Sequence, residues 1–120
     1  MRILQSPSVL LRLEGAALLI GSVIAYIYLQ AGGLMFALLI LAPDLSMLGY
    51  LAGVKVGSMT YNLMHIDLWP IALIVFGLAT SKAAVIPIGL IWLAHIGGDR
   101  MLGFGLKYPT EFKATHLQRV

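Results

Sequence analysis

The chain consists of long apolar stretches separated by short polar turns. No charged residue occurs between Glu14 and Asp44, a stretch of 29 residues. This stretch is too long for one perpendicular helix, because about 20 apolar residues suffice to cross about 30 Å of hydrocarbon. The polar and small residues Gln30-Ala31-Gly32-Gly33 interrupt it near its middle. The pattern therefore predicts two membrane spans, at about 8–29 and about 34–53.

Two further spans are predicted in the second half of the chain. They cover about 56–79 and about 83–103, and the short turn Thr80-Ser81-Lys82 joins them. A kink is expected near Pro70, because proline lacks the backbone N–H that continues a helix. Residues 107–120 form a short polar tail. All 120 residues are thus predicted to form a single all-α domain, a polytopic membrane protein with a four-transmembrane-helix bundle.

The composition supports a membrane protein and excludes several classes of soluble protein. Hydrophobic residues make up 60% of the chain and charged residues 11%, with a mean hydropathy of +0.94. A soluble domain has about 45–50% apolar and about 25% charged residues. A soluble enzyme and a nucleic-acid-binding protein are therefore excluded, and no nucleic acid partner is expected. Because the chain has no cysteine, disulfides and thiolate metal sites are excluded as well.

A cleaved signal peptide is the alternative interpretation of the first span, since Arg2 precedes an apolar stretch. The stretch is longer than the usual apolar region of about 7–15 residues in a signal peptide, and it includes Arg12 and Glu14. No small-residue cleavage pattern precedes Leu34. The first span is therefore interpreted as a transmembrane helix.

The basic residues predict the orientation of the bundle. Seven of the eight fall on the N-terminus, the second loop and the C-terminal tail: Arg2, Arg12, Lys55, Arg100, Lys107, Lys113 and Arg119. The opposite side has Lys82 alone. Because Lys and Arg are enriched in cytoplasmic loops, both termini are predicted to be cytoplasmic in a multi-pass protein of the cell inner membrane. Arg100 and Lys107 are interpreted as anchors to anionic lipid headgroups.

Polar side chains recur at a similar depth in the predicted spans. Counted at 1.5 Å per residue from the cytoplasmic ends, they lie about 6–17 Å into the membrane. These residues are Glu14, Asp44, Asn62, His65, Asp67, His95 and Asp99. An ionisable group at the centre of a membrane helix costs about 2.5–3.5 kcal/mol. We therefore expect these groups, contributed by all four spans, to face one another and not the lipid.

Helical spacing predicts which of these side chains share a face. His95 and Asp99 are i,i+4 neighbours, and His65 follows Asn62 by three residues. Tyr61 precedes His65 by four residues, so its hydroxyl is expected to orient the imidazole. Asp67 follows His65 by two residues and is expected to point elsewhere.

Two sequence features bear on how the site is enclosed. Pro43 removes a backbone hydrogen bond immediately before Asp44, and the carbonyl that it frees is itself polar, so this step is expected to line the site. Gly49, Gly53 and Gly57 recur at four-residue spacing, which favours close helix packing.

Several sequence blocks resemble one family over nearly the whole chain. They are the run Ala42 to Tyr50, Tyr61-Asn62-x-x-His65, Trp92-x-x-His95-Ile96-Gly97-x-Asp99-Arg100, Gly103-x-Gly105-Leu106-Lys107-Tyr108 and Thr115-His116-Leu117. In this order they resemble a family of small bacterial membrane proteins catalogued as domain of unknown function 4260. The resemblance implies which residues matter but no reaction. The Pro-Asp step with histidines at membrane depth is also similar to membrane-bound metal-dependent hydrolases, whose motifs cannot be matched residue by residue.

The candidate chemistry is a metal site with three alternatives left open. His65, His95, Asp44 and Asp99 offer two nitrogens and two carboxylates, a set that suits Zn²⁺, Mn²⁺ or Fe²⁺. A bound metal could activate water for hydrolysis of a lipid-borne substrate, with Asp44, His65 and His95 as the catalytic residues. The alternatives are a proton relay, a small-solute transporter formed by a symmetric homodimer, or a purely structural bundle. His116 in the tail is a further candidate that could cap the cytoplasmic opening.

Overall fold

The structure, a computed structural model, describes residues 2–107. This part of the chain begins with a short 3₁₀ turn at Arg2–Gln5. The elements that follow are α1 (Pro7–Leu29), α2 (Gly33–Leu39), a 3₁₀ segment (Ala42–Ala52), α3 (Val54–His65), α4 (Leu68–Ala79) and α5 (Val85–Leu102). The predicted all-α fold class is confirmed, since no strand occurs among the described residues.

In the described part of the chain, four helical segments are long and apolar enough to cross a membrane: Pro7–Leu29, Gly33–Ala52, Val54–Ala79 and Val85–Leu102. Their limits lie within two residues of the predicted spans. Their surfaces are apolar as well, and Tyr28 and Leu51 are 86% and 89% exposed. A polytopic membrane protein explains this exterior, because lipid and not water covers it.

The second and third spans are interrupted. In the second, α2 ends at Leu39 and the 3₁₀ segment begins three residues later. In the third, α3 ends at His65 and Ile66 adopts an extended conformation before α4 begins. The kink expected near Pro70 is therefore found four residues earlier, because the ring of a proline clashes with the carbonyl at i−4. Pro70 itself lies in the first turn of α4, where a proline is tolerated.

Helix α5 is the central element, packed against α1, α4 and α2. It crosses α1 at two glycines, Gly15 and Gly97. A Cβ on Gly97 would lie 2.6 Å from the backbone N of Leu19 and 2.8 Å from the carbonyl O of Gly15. Any side chain there would push the two backbones apart. This crossing fixes the position of α5, and the glycine repeat noted in the sequence did not include it.

The 3₁₀ segment packs against α3. Two members of the predicted glycine repeat allow this contact: Gly49 lies against Thr60, and Gly57 lies under the ring of Tyr50. Gly53, the third member, has no such neighbour and instead forms the turn between the two elements with a φ of 120°. Thr60 also donates a hydrogen bond to the carbonyl O of Ser46, at 2.8 Å.

Candidate metal centre

Four ionisable side chains from three spans meet inside the bundle. Asp44 lies in the 3₁₀ segment, His65 ends α3, and His95 and Asp99 lie one turn apart on α5. One nitrogen or oxygen atom from each lies within 4.8 Å of those of the other three. We call these four residues the His/Asp cluster. The structure thus brings together the four residues that the sequence suggested as metal ligands.

The nitrogen and oxygen atoms that meet in the cluster are closely spaced. The Nε2 atoms of His65 and His95 lie 3.1 Å apart. Asp44 Oδ1 lies 3.2 Å from Nε2 of His65 and 3.0 Å from Nε2 of His95. Asp99 Oδ2 lies 3.4 Å and 3.2 Å from the same two nitrogens. Every one of these five contacts joins two atoms that can act as acceptors.

The backbone fixes the orientation of both imidazoles. His65 Nδ1 lies 2.7 Å from the carbonyl O of Tyr61, and His95 Nδ1 lies 2.6 Å from the carbonyl O of Ile40. A carbonyl can only accept, so each Nδ1 carries the proton and donates it. In a neutral imidazole the lone pair is then on Nε2, which points into the cluster. Metal-binding histidines almost always donate their second N–H in this way.

Pro43 explains why the carbonyl of Ile40 is free to accept from His95. In 3₁₀ geometry the N–H of residue 43 would bond to the carbonyl of residue 40, and proline has no N–H. The next N–H, of Asp44, bonds to the carbonyl O of Leu41 at 3.0 Å. Pro43 therefore frees a carbonyl for His95 and directly precedes Asp44. The polar carbonyl expected beside the Pro43-Asp44 step is present in the structure.

Two side chains of α5 bind the end of α3 and so hold His65 in place. Because α3 stops at His65, its last carbonyls have no partner within the helix. Trp92 Nε1 donates to the carbonyl O of Met64 at 2.7 Å, and Arg100 donates to that of His65 at 3.0 Å. The sequence interpretation did not assign these roles. Trp92 could have been found, since it precedes His95 by three residues on the same face.

Tyr61 supports His65 differently from the sequence expectation. Its ring stacks on the imidazole, with centroids 3.7 Å apart and an interplanar angle of 9°. The backbone carbonyl of Tyr61, and not the hydroxyl, accepts from Nδ1. An i,i+4 pair on a helix places the later side chain over the earlier residue, so the ring face and the carbonyl are the groups within reach.

Asn62 fixes the chain beyond α5. Its amide nitrogen donates to the carbonyl O of Lys107 at 2.8 Å, and its amide oxygen accepts from the N–H of Lys107 at 2.6 Å. The ammonium of Lys107 lies 4.8 Å from the centroid of the Tyr61 ring. Burial lowers the pKa of Lys107 below its usual value, while the carboxylates of Asp99 and Asp44 act in the opposite direction. Lys107 is thus a buried residue beside the cluster and not only a headgroup anchor.

The cluster opens on its carboxylate side. The two histidines are buried, with 0% and 6% of their surface exposed. The side chains of Asp44 and Asp99 are 38% and 20% exposed. They border a cavity of about 210 Å³ that is lined by Asp44, Met47, Tyr61, Asp99, Phe104 and Lys107. A small molecule in this cavity would meet both carboxylates.

Two residues that the sequence suggested lie apart from the cluster. Glu14 and Asp67 are exposed and line, with Arg100, a separate cavity of about 340 Å³. The first span therefore contributes Gly15 to the packing but no ligand to the cluster. The sequence placed Glu14 on the first span without giving the rotation of its helix, which turns this carboxylate away from the cluster. His116, the remaining suggested residue, lies outside the described residues.

The fold and the site together define a class: a small polytopic membrane protein with a His₂Asp₂ cluster whose two histidines are buried and whose atoms are spaced as a metal site would require. The chain belongs to the family described as domain of unknown function DUF4260, whose model matches residues 8–120. This match confirms the family suggested by the sequence blocks. No curated protein and no solved structure matches the chain.

Proposed function

We propose that this protein binds one divalent metal ion through the His/Asp cluster. The observation that carries the proposal is the 3.1 Å approach of the two Nε2 atoms, whose rings already donate through Nδ1 to carbonyls. Two lone pairs at this distance repel each other unless a cation lies between them. The two carboxylates add negative charge at the same point, so the cluster has the donors and the charge that a divalent ion requires.

The spacing of the cluster supports a metal of ordinary size. With metal–nitrogen and metal–oxygen bonds of about 2.0–2.2 Å, neighbouring ligands around one ion lie about 3.0–3.5 Å apart. The five contacts among the ligand atoms range from 3.0 to 3.4 Å. Nitrogen and carboxylate ligands suit Zn²⁺, Mn²⁺ or Fe²⁺ and disfavour Cu(I), which prefers sulfur. The proposed cofactor is therefore one of these three ions.

The cavity beside the cluster supports a hydrolytic use of the metal. A bound divalent ion lowers the pKa of its water ligand, to about 7 in the case of Zn²⁺. The oxygen of that water would bond to the carbon or phosphorus of a lipid-borne ester, and the ester C–O or P–O bond would break. The proton of the water would pass to Asp44 and then to the departing alkoxide. His65 and His95 would hold the metal throughout this hydrolysis.

The proposed orientation places both termini in the cytoplasm and the cluster in the inner half of the inner membrane. It is supported by the seven basic residues assigned to that side. The chain has no cysteine, so single cysteines report accessibility cleanly. In intact cells, we expect the thiol of Thr80→Cys to react with a thiol reagent that does not cross membranes. The thiol of Leu4→Cys should not react. The reverse pattern would contradict the orientation.

A proton relay is the second candidate, because 3.1 Å is also a hydrogen-bond distance between two nitrogens. One proton shared by His65 and His95 would satisfy the cluster without a metal. The partial exposure of Asp44 would let protons reach it from one side. This alternative predicts a pH-dependent proton flux in sealed vesicles and no bound metal.

Elemental analysis separates the two functions. The protein is purified in mild detergent without chelator, and its metal content is measured per chain. We expect about one equivalent of Zn, Mn or Fe in the parent protein and a loss of it in Asp44→Asn and Asp99→Asn. Both variants keep the shape of the side chain and remove one charged ligand. Asp67→Asn is the matched control, because this carboxylate lies outside the cluster.

Two results would overturn the metal proposal. The first is a correctly inserted parent protein that holds no stoichiometric metal and takes up none of the three ions. The second is a loss of metal in Asp67→Asn as large as in Asp44→Asn, which would show that the metal binds elsewhere or through general negative charge.

A further inference from the structure

The cavity beside the cluster contains a buried cation, Lys107, in addition to the two carboxylates. Only 9% of Lys107 is exposed, and lysine is rarely buried to this extent. Its backbone is held by the two hydrogen bonds from Asn62. Its ammonium lies over the ring of Tyr61, which in turn stacks on His65. The lysine is therefore connected to a proposed metal ligand through one intervening ring.

The charge of the site depends on whether the metal is present. The charged side chains that line the cavity are two carboxylates and one ammonium, which sum to −1 with both imidazoles neutral, and Arg100 adds a positive charge beside it, at the carbonyl of His65. A divalent ion changes this sum to +1. This change of two charge units acts at short range in a partly enclosed cavity, where Coulomb interactions are stronger than in bulk water. An anion is thus bound much more weakly by the metal-free cavity than by the loaded one.

We propose that the metal-loaded cluster binds an oxyanion in this cavity, with Lys107 as its second cationic contact. This inference rests on the proposed metal function and names the chemical class of its ligand, a phosphate or phosphate ester. Phosphate oxygens bind divalent metals directly, and lysine is a common phosphate-binding residue. The apolar side chain of Phe104 is 47% exposed. It would lie beside the ester group.

The size and place of the cavity limit what can bind. At about 210 Å³ it is smaller than the about 300–1,000 Å³ of pockets for drug-sized ligands. It can hold a phosphate group and part of its ester, and the rest of a lipid would have to remain outside. Lys107 lies five residues after the end of α5 at Leu102, where the span leaves the hydrocarbon. A lipid headgroup and free phosphate are both sources of this ligand.

The test measures metal and anion in the same samples. The Mn²⁺-loaded protein in detergent is titrated with inorganic phosphate, and Mn content is measured in parallel by elemental analysis. We expect phosphate to bind the parent protein when Mn²⁺ is present and not when it has been removed. Lys107→Met should weaken phosphate binding about tenfold or more and keep one Mn per chain. Lys107→Arg should restore most of the affinity.

Lys55→Met is the matched control, since Lys55 is an exposed lysine in the first turn of α3. It should bind Mn²⁺ and phosphate like the parent. A second arm places the loaded protein in nanodiscs of phosphatidylcholine with or without phosphatidic acid. If phosphatidic acid prevents phosphate from binding to the parent and to Lys55→Met, the headgroup is the natural source. If it has no effect, the source is free phosphate.

The outcomes separate this inference from the metal proposal. Full Mn content with equal phosphate affinity in the parent and in Lys107→Met would overturn the role of Lys107 and leave the metal site standing. Phosphate binding that does not depend on Mn²⁺ would overturn the oxyanion inference in the same way. A parent protein without Mn²⁺ or any other bound metal would overturn both proposals.

Discussion

The most informative perturbation of the cluster is Asp44→Asn, followed by the thermal stability of the protein with and without metal. Asp44 contacts both imidazoles, at 3.2 and 3.0 Å, and its side chain is the most exposed of the four. The amide of asparagine has nearly the same shape as the carboxylate. The variant is therefore expected to fold and insert, while it removes one negative ligand from the centre of the cluster.

The magnitude follows from binding linkage. An ion present at 100 times its Kd stabilises the native state by about 2.7 kcal/mol. For a chain of this length, that stabilisation raises the Tm by about 10 °C. Loss of an outer partner of a metal ligand weakens metal binding about 10- to 100-fold, so loss of the ligand itself should weaken it at least 100-fold. At the same metal concentration, the stabilisation then falls to about 0.4 kcal/mol or less.

The assay is a thermal unfolding series in mild detergent, with chelator or with Zn²⁺, Mn²⁺ or Fe²⁺. We expect a large metal-dependent rise in Tm for the parent and for Asp67→Asn, and almost none for Asp44→Asn. The difference between the metal-loaded and metal-free midpoints is compared within each variant, so a change in intrinsic stability does not affect the comparison. The reasoning is refuted if Asp44→Asn responds to the ion as strongly as the parent does.

The remaining predictions concern the packing that holds the cluster. Gly97→Ala should destabilise the bundle by about 1–3 kcal/mol, because its Cβ would meet the backbone of α1. Gly98→Ala should be neutral, because a Cβ there would have no atom within 4 Å. Equal unfolding midpoints for the two variants would contradict the close crossing of α1 and α5. Trp92→Phe should cost about 1–3 kcal/mol by leaving the carbonyl of Met64 without its donor. Trp92→Phe should also weaken metal binding. Trp69 is half-exposed, and Trp69→Phe should change neither the stability nor the metal affinity. Unfolding midpoints and metal titration measure the two effects.

The fold could be predicted closely because its signals are strong and local. A stretch of 29 uncharged and mostly apolar residues is long enough for two membrane spans, and a turn such as Gln30 to Gly33 marks where the chain reverses. In the structure Gln30 and Gly32 both have positive φ, at 56° and 100°. The interruption predicted near Pro70 lies at Ile66, one turn before the proline, since the clash of a proline falls on the preceding turn.

The cluster was partly predictable for an energetic reason. Histidine and aspartate at membrane depth are costly, so their mutual contact could be inferred for Asp44, His65 and His95 before any geometry was known. Rotation about each helix axis could not be inferred, and for this reason Glu14 was grouped with the cluster. The burial of Lys107 could not be inferred either, because it depends on a hydrogen bond to a residue 45 positions earlier.

The 3₁₀ segment has a consequence for how its residues divide between lipid and protein. Three residues per turn place every third side chain in one straight row along the axis. Leu45, Leu48 and Leu51 form such a row and are 67%, 65% and 89% exposed. Asp44 and Met47, one position earlier, both line the cavity. In a mutational scan of residues 42–52, tolerance to substitution should therefore repeat with a period of three. Inserting one residue in this segment would turn the carboxylate of Asp44 away from the two histidines.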